Sequence, residues 1–247
     1  MPDSILAVFA DVHANLEALE AILADMDAHA ANSRRVCLGD IVGYAANPAE
    51  CLELIRGLGY PVVQGNHDEA TATDMALDEM RDVAQSGIEF SRQKLSPEQR
   101  AYLAGLPLTF SGEGCEFVHS SLNTPGEWHY IMRESEAQEH FKVQTESFCF
   151  CGHTHVPTVW HLSNTGNIKS WRGHGRIELP AGGKTLINVG SVGQPRDLCS
   201  DACYALCDPQ ARWVEFRRTP YDIQKTKRKI MRAKLPRYAA QRLSLGR

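Results

Sequence analysis

The chain has 247 residues, of which 43% are hydrophobic and 23% charged, with a formal net charge of −4 at pH 7. That suits one sizeable globular domain with at most a small appendage. It contains no run of about 18 apolar residues, which argues against a membrane span. The opening MPDSILAVFADVHAN has no basic leader and only a short apolar run, so it reads as a first strand and places the protein in the cytoplasm.

Taken in chain order, ILAVFAD (5–11) is a strand, and NLEALEAILADMDAHA a helix with Leu16, Leu19, Ile22, Leu23 and Met26 on one face and Asn15 as N-cap. RRVCLGD (34–40) is a second strand. NPAECLELIRGLG is a helix with Asn47 as N-cap, Pro48 in the first turn, Glu50 closing a capping box, and Gly57 or Gly59 at its end. PVVQGN (61–66) is a third strand, so strands alternate with helices as in an α/β core with parallel strands. Residues 69–105 read as helical, with a fresh start at Ser96-Pro97-Glu98-Gln99. LPLTF and CEFVH flank the turn SGEG as a hairpin. A helix over Glu134–Phe141 leads to the strand SFCFCG. After residue 156 the chain is mostly strands and turns, ending in a helical tail broken at Pro236.

That tail is basic. From Arg217 onward eleven Lys/Arg face one acid, Asp222, which leaves the preceding 216 residues at about −14. A polyanion-binding segment and a solvated helix face both fit such asymmetry. The charges are not interleaved with aromatics, which favours the solvated face over nucleic acid. The expected division is a domain over 1–220 and a basic helical tail over 221–247 packed on it. Eight cysteines include no C-x-x-C pair, and they read as buried free thiols rather than disulfides or a zinc site.

The chemistry gathers at strand ends. ILAVFAD runs into Asp11 and His13, RRVCLGD ends at Asp40, PVVQGN at Asn66 with His67 next, CEFVH at His119, and SFCFCG runs into His153 and His155. In open α/β sheets ligands bind at the carboxyl ends of strands. Imidazole and carboxylate suit Mn, Fe, Co, Ni or Zn. Leaving His67 aside, the seven groups Asp11, His13, Asp40, Asn66, His119, His153 and His155 exceed the needs of one tetrahedral ion and match two ions sharing a carboxylate.

These blocks, Asp11-Val12-His13, Gly39-Asp40, Gly65-Asn66-His67-Asp68, His119 and Gly152-His153-Thr154-His155, resemble the signature of the calcineurin-like metallophosphoesterases, in the same order. GDIVGYAANP, GNHDEA, CGHTHVP and INVGSVGQPRD are similar to a small bacterial and archaeal branch of phosphodiesterases and diadenosine-tetraphosphatase-like proteins. The resemblance implies a four-layer α/β sandwich, two mixed β-sheets flanked by helices. It implies one metal site of Asp11, His13, Asp40 and His155 and a second of Asp40, Asn66, His119 and His153, with Asp40 bridging. It further implies two divalent ions, Mn or Fe/Zn first and Ni or Co also admitted, that activate a hydroxide for attack on phosphorus. His67 would protonate the leaving oxygen, and Arg196 is a candidate phosphate contact whose alternative is a salt bridge with Asp197.

Two departures bear on specificity. Many relatives have glycine where Ala14 stands, and alanine resists positive φ. Protein phosphatases of the superfamily carry G-D-x-x-D-R-G where this chain has GDIVGYA, so Gly43 and Tyr44 replace an aspartate that orients the catalytic histidine and an arginine that grips phosphate. Asp68 or a backbone carbonyl is then expected to orient His67. The expected substrate is a small nucleotide-type phosphodiester or a dinucleoside polyphosphate. The alternatives are a phosphoprotein phosphatase, a nuclease using the basic tail, and a catalytically silent interaction module. His29, His129, His140, His161 and His174 match no motif and are expected at the surface, with His129 a weak substrate contact.

Overall fold

A computed structural model of the protein describes residues 5–247 apart from Glu79 and Glu113. β1 (Leu6–Phe9), α1 (Leu16–His29), β2 (Arg34–Cys37) and α2 (Pro48–Leu58) open the chain. α3 (Asn66–Ala72), α4 (Asp82–Lys94) and α5 (Pro97–Ala104) form a helical insertion before the hairpin of β3 (Thr109–Gly112) and β4 (Cys115–Val118). The expected hairpin turn includes Glu113, which lies outside the described residues. Then come α6 (Glu134–Val143), β5 (Phe148–Cys151), β6 (Thr158–Leu162), β7 (Ile168–Arg172), β8 (Gly175–Glu178), β9 (Lys184–Asn188), β10 (Ala202–Asp208) and β11 (Trp213–Thr219). The chain closes with α7 (Ile223–Arg232) and α8 (Arg237–Leu243).

The strands form two sheets, one ordered β2-β1-β10-β11-β8 and the other β3-β4-β5-β9-β6-β7. Both are mixed: β1–β2, β4–β5 and β5–β9 are parallel, whereas β1–β10 and β6–β9 are antiparallel. Alternation along each strand assigns the layers. From β1, Leu6 and Val8 face the other sheet, where they meet Phe117, Phe150 and Val159. Ala7 and Phe9 face the helices, against Leu19, Ile22 and Met26 of α1 and Leu52 and Ile55 of α2. β5 repeats the device. Phe148 and Phe150 lie between the sheets, and Cys149 and Cys151 pack with Phe141 of α6. The result is the expected four layers, helices–sheet–sheet–helix.

Local signals mostly act as their chemistry dictates. The Asn15 side chain accepts a hydrogen bond from the Ala18 N–H at 3.3 Å, and Ser96 and Gln99 cap α5 reciprocally. At α2, however, Asn47 makes no side-chain cap and instead donates to Glu50 at 2.8 Å. The expected strand over 61–66 does not form. Only an isolated parallel bridge joins Cys37 to Val62. Pro61 has no N–H to offer, the Gln64 N–H bonds to the Pro107 carbonyl, and α3 begins at Asn66.

His140 and His161 are buried, contrary to expectation, whereas His29, His129 and His174 are exposed. The His140 Nδ1 accepts from the Leu122 N–H and the His161 Nδ1 bonds Thr185, which ties both rings into the interior, although the His140 Nε2 has no partner among the described residues. The tail is not simply a solvated face. Ile230, Leu235, Ala239 and Leu243 pack with Ala14 and Ala45, while Lys229 and Lys225 pair with the buried Glu17 of α1 at 2.6 and 3.2 Å.

Candidate metal centre

The residues singled out in sequence meet at one end of the two sheets. β1 delivers Asp11 and His13, β2 delivers Asp40, β4 delivers His119, and β5 delivers His153 and His155. Asn66 and His67 begin α3. The turns that hold them are tight. Asp11, His13, Asp40, His153 and His155 all have φ between 49° and 66°, a left-handed conformation costing a non-glycine residue about 1–3 kcal/mol that collects at functional sites. Ala14 adopts it too, at φ 55°, so the alanine does not alter the turn. His153 and His155 are therefore not on an extended chain, and they belong to two different clusters of donor atoms.

Asp11, His13 and His155 form one cluster of converging ligand atoms and Asp40, His119 and His153 a second, with a third group of His13, Asp40 and His67 overlapping both. The His13 Nδ1 bonds to the Val42 carbonyl, the His119 Nδ1 to that of Leu38 and the His155 Nδ1 to that of Gln194, at 3.2, 2.7 and 2.6 Å. A carbonyl only accepts, so Nδ1 carries the proton on each neutral ring and Nε2 presents a lone pair. The Nε2 atoms of His13 and His155 then face each other at 3.1 Å. The His119 Nε2 faces the His153 Nδ1 at 3.2 Å. The two lone pairs of the His13–His155 pair repel at that range unless a cation lies between them, whereas the His119–His153 contact is a hydrogen bond whenever one of the two nitrogens carries a proton.

Asp40 joins the clusters. Its Oδ1 accepts from the His67 N–H at 2.8 Å, while Oδ2 lies 3.6 Å from the His13 Nε2 and 3.4 Å from the His119 Nε2. Asp11 Oδ2 accepts from the His153 N–H at 3.0 Å and Oδ1 approaches the His155 Nε2 at 3.4 Å. Buried polar atoms without partners among the described residues include Asn66 Oδ1 and His153 Nε2, and such atoms in a native site call for an explanation. Oxygen and imidazole donors of this number and convergence fit divalent cations.

The electrostatics agree. Burial holds His13 and His155 well below the ordinary imidazole pKa and takes His153 to about 3, keeping them neutral as metal ligands must be. Burial works against the charged form of Asp40, but His119, His67 and His13 hold its carboxyl well below the usual range. Burial also opposes charge on His119, yet Asp40 and then Asp11 outweigh it and lift the ring to about 9, so without a cation the His119 ring itself carries the positive charge, and its Nε2 offers a lone pair only once a metal takes the place of that proton.

A sequence model described as the calcineurin-like phosphoesterase superfamily domain matches residues 5–212. The chain belongs to that superfamily. An uncharacterized protein of Methanocaldococcus jannaschii is 38% identical over 251 residues, covering 100% of both chains. Among solved structures, a metallophosphoesterase from Sphaerobacter thermophilus is 36% identical, with a TM-score of 0.85 over 99% of this chain and 100% of that one. A hypothetical protein from Pyrococcus horikoshii OT3, 22% identical, shares the fold with a TM-score of 0.82 over 98% of each chain.

In this calcineurin-like phosphoesterase His67 is held differently from expectation. Asp68 does not touch it; its carboxylate accepts the N–H groups of Ile41, Val42 and Gly65 at 2.9, 3.3 and 3.1 Å. Nor does a backbone carbonyl, for His67 Nδ1 has no partner among the described residues. A Cβ on Gly43 would lie 2.4 Å from that atom, so the loop can carry no side chain there and the ring sits against bare backbone. Packing positions it instead, with the rings of Tyr44 and His13 at 4.7 and 4.8 Å. Gly87 of α4 lets the helical insertion reach the same loop, since a Cβ there would meet the Tyr44 N at 2.2 Å.

Arg196 makes no salt bridge with Asp197, which pairs with Arg218. Its guanidinium bonds Gln194 at 2.9 Å and reaches the Tyr44 hydroxyl at 3.4 Å. It lines a cleft of about 590 Å³ together with Asn66, His67, Tyr44, Tyr130 and Arg242. His129 is not part of that wall and pairs with Glu127; its neighbour Tyr130 lies 4.2 Å from the His153 ring.

Sequence reasoning missed the supports behind the ligands. Asn188 donates to the Gly152 carbonyl and, at 3.0 Å, to Thr154, and Ser191 donates to the Asp11 carbonyl at 2.9 Å. Both lie in INVGSVGQPRD, where only the arginine stood out by charge. Tyr130 and Arg242 carried no local signal.

Proposed function

We propose that the chain is a hydrolase that cleaves phosphoester or phosphoanhydride bonds of small nucleotide-type phosphodiesters or dinucleoside polyphosphates, using two divalent metal ions. The observation that carries this reading is the Asp40 carboxylate, one oxygen of which lies between His13 of one donor cluster and His119 of the other. Asp11, His13, Asp40 and His155 would hold one ion, and Asp40, Asn66, His119 and His153 the other. Two such ions supply an activated water at neutral pH and neutralise phosphoryl oxygens.

The protein's own side chains do the rest. The carbonyls of Val42, Leu38 and Gln194 fix the ring orientation and tautomer of His13, His119 and His155. Arg196 presents a planar fork to a phosphoryl oxygen. His67, on the cleft wall beside Asn66, is the group placed to donate a proton to the leaving oxygen; burial holds its free ring below the ordinary imidazole pKa, so the role requires that bound phosphate restore the proton. A phosphoprotein phosphatase is disfavoured because Gly43 and Tyr44 stand where those enzymes carry an orienting acid and a phosphate-gripping arginine. A silent interaction module is disfavoured because the donor set is complete.

The test is hydrolysis with added manganese across a monoester, a diester, a cyclic nucleotide, diadenosine tetraphosphate and a phosphopeptide, with bound metal counted by elemental analysis. The expected result is about two ions per chain and fastest turnover of the diester or the dinucleotide. Preference for the phosphopeptide would overturn the substrate ranking, and no turnover of any substrate would overturn the enzyme reading.

A further inference from the structure

Tyr44 occupies the place of a phosphate-gripping arginine, yet two guanidinium groups surround it. Arg196, from the loop after β9, and Arg242, from α8, each lie 5.9 Å from the centre of the Tyr44 ring. That ring in turn is 4.7 Å from both His13 and His67, so the arginine pair adjoins the donor clusters. Arg81, just before α4, lines the same cleft. Among the described residues Arg81 and Arg196 have no carboxylate within ion-pairing distance; Arg196 donates to Gln194, and Arg242 to a main-chain oxygen of Arg247, the last residue of the sequence.

This arrangement is costly. Arg242 is only 9% exposed, and burial followed by repulsion from Arg196 depresses its pKa. Three charges of one sign line a cleft whose described walls carry no acidic side chain, a concentration of positive charge that favours an anion brought from outside. The guanidinium fork matches phosphate oxygens bidentately. A cleft of about 590 Å³ falls in the range that holds ligands of roughly drug size, far larger than a single phosphoryl group. Tyr130 and Tyr238 add aromatic wall on which a base can stack.

We propose that Arg242 and Arg81 form a second anion subsite, which holds the non-reacting phosphates of a substrate carrying a phosphate chain while Arg196 attends the reacting one. The substrate class is a nucleoside polyphosphate or dinucleoside polyphosphate. The tail helix α8 is therefore part of the specificity apparatus. The proposal rests on the phosphoesterase reading above, and its test separates the two.

Calorimetry on the full chain, stripped of metal and dialysed free of chelator, compares inorganic tripolyphosphate with orthophosphate. Tripolyphosphate is expected to bind about 10-fold or more tightly than orthophosphate, the value of one charge-assisted hydrogen-bond pair or more. Arg242→Gln and, separately, the exposed Arg81→Gln are expected to weaken tripolyphosphate about 10-fold and leave orthophosphate unchanged. With manganese added, both variants are expected to lose about 10-fold in kcat/KM on diadenosine tetraphosphate and less than about threefold on bis(p-nitrophenyl) phosphate, which carries one phosphate. Unchanged tripolyphosphate affinity in both variants, or equal losses on the two substrates, would overturn the subsite. If the unaltered protein hydrolyses neither substrate, the phosphoesterase reading fails, and the calorimetry alone decides the subsite.

Discussion

Asp40 answers to two sets of neighbours at once. One oxygen is committed to the His67 N–H and the other faces His13 and His119. Replacing it with Asn keeps the size and removes the charge. Asp40→Asn is expected to lower metal affinity by more than ~100-fold, since even the loss of a group behind a ligand costs 10–100-fold. Elemental analysis with a circular dichroism check of folding measures this; full metal loading in the variant would remove the bridging role. Asp68 acts on the scaffold. It accepts three backbone N–H groups from the loops that carry Asp40 and Asn66, so Asp68→Ala leaves three buried donors unmade. A loss of about 3 kcal/mol in urea unfolding is expected.

Among the elements, α7 and α8 owe their position to both apolar and ionic contacts with the N-terminal half. Glu17 on α1 is 6% exposed and takes Lys229, Lys225 and Thr226 from α7. Burial alone would raise its carboxyl; hydrogen bonds from the two lysines and their charge hold it below its usual pKa. A carboxyl with a depressed folded pKa stabilises above the unfolded value, about 4.3, and that contribution disappears as pH falls through the folded value. Glu17→Gln is therefore expected to cost about 1 kcal/mol at pH 7, modest because the lysines re-enter water. The difference from the unaltered protein should begin to shrink as pH falls below about 4.3 and vanish only once pH is well below the depressed folded value. Parallel urea titrations at the two pH values test it. The element-level surprises are physical as well. A strand at 61–66 fails because Pro61 removes a ladder donor and Gly65-Asn66 turns into α3. The insertion over α3–α5 finds its place only because Gly87 admits the Tyr44 backbone.

For the whole molecule, the candidate donors lie on both halves of the chain, so a metal bound there would couple its binding to folding. Asp11 and His155 are 144 positions apart in sequence and 3.4 Å apart in space. A ligand that binds only the folded state at 100 times its Kd stabilises by about 2.7 kcal/mol. A chain of this size gains about 2–4 °C per kcal/mol. Manganese added to the stripped protein is expected to raise Tm by about 5–10 °C, an effect that scanning calorimetry should find absent in Asp40→Asn. An equal shift in that variant would place the stabilising metal elsewhere.

The donor residue types, their order and, apart from Asn66, their positions after strands were legible in the sequence, because a donor set is written in side-chain identity and because β1, β2, β4 and β5 announce themselves by short apolar runs. So was the four-layer sandwich, through the resemblance those blocks carry. What no local pattern contains is which atoms converge. The three Nδ1–carbonyl bonds that leave Nε2 bare, the single Asp40 oxygen between two clusters, and the ring of His67 lodged against Gly43 all join segments far apart in the chain. Arg242 makes the point most plainly. In sequence it is one of eleven basic residues in a charged tail. Only the packing of α8 onto Ala14 and Ala45 brings it beside Tyr44 and into the cleft, since charge is a property of the residue and its neighbourhood a property of the fold.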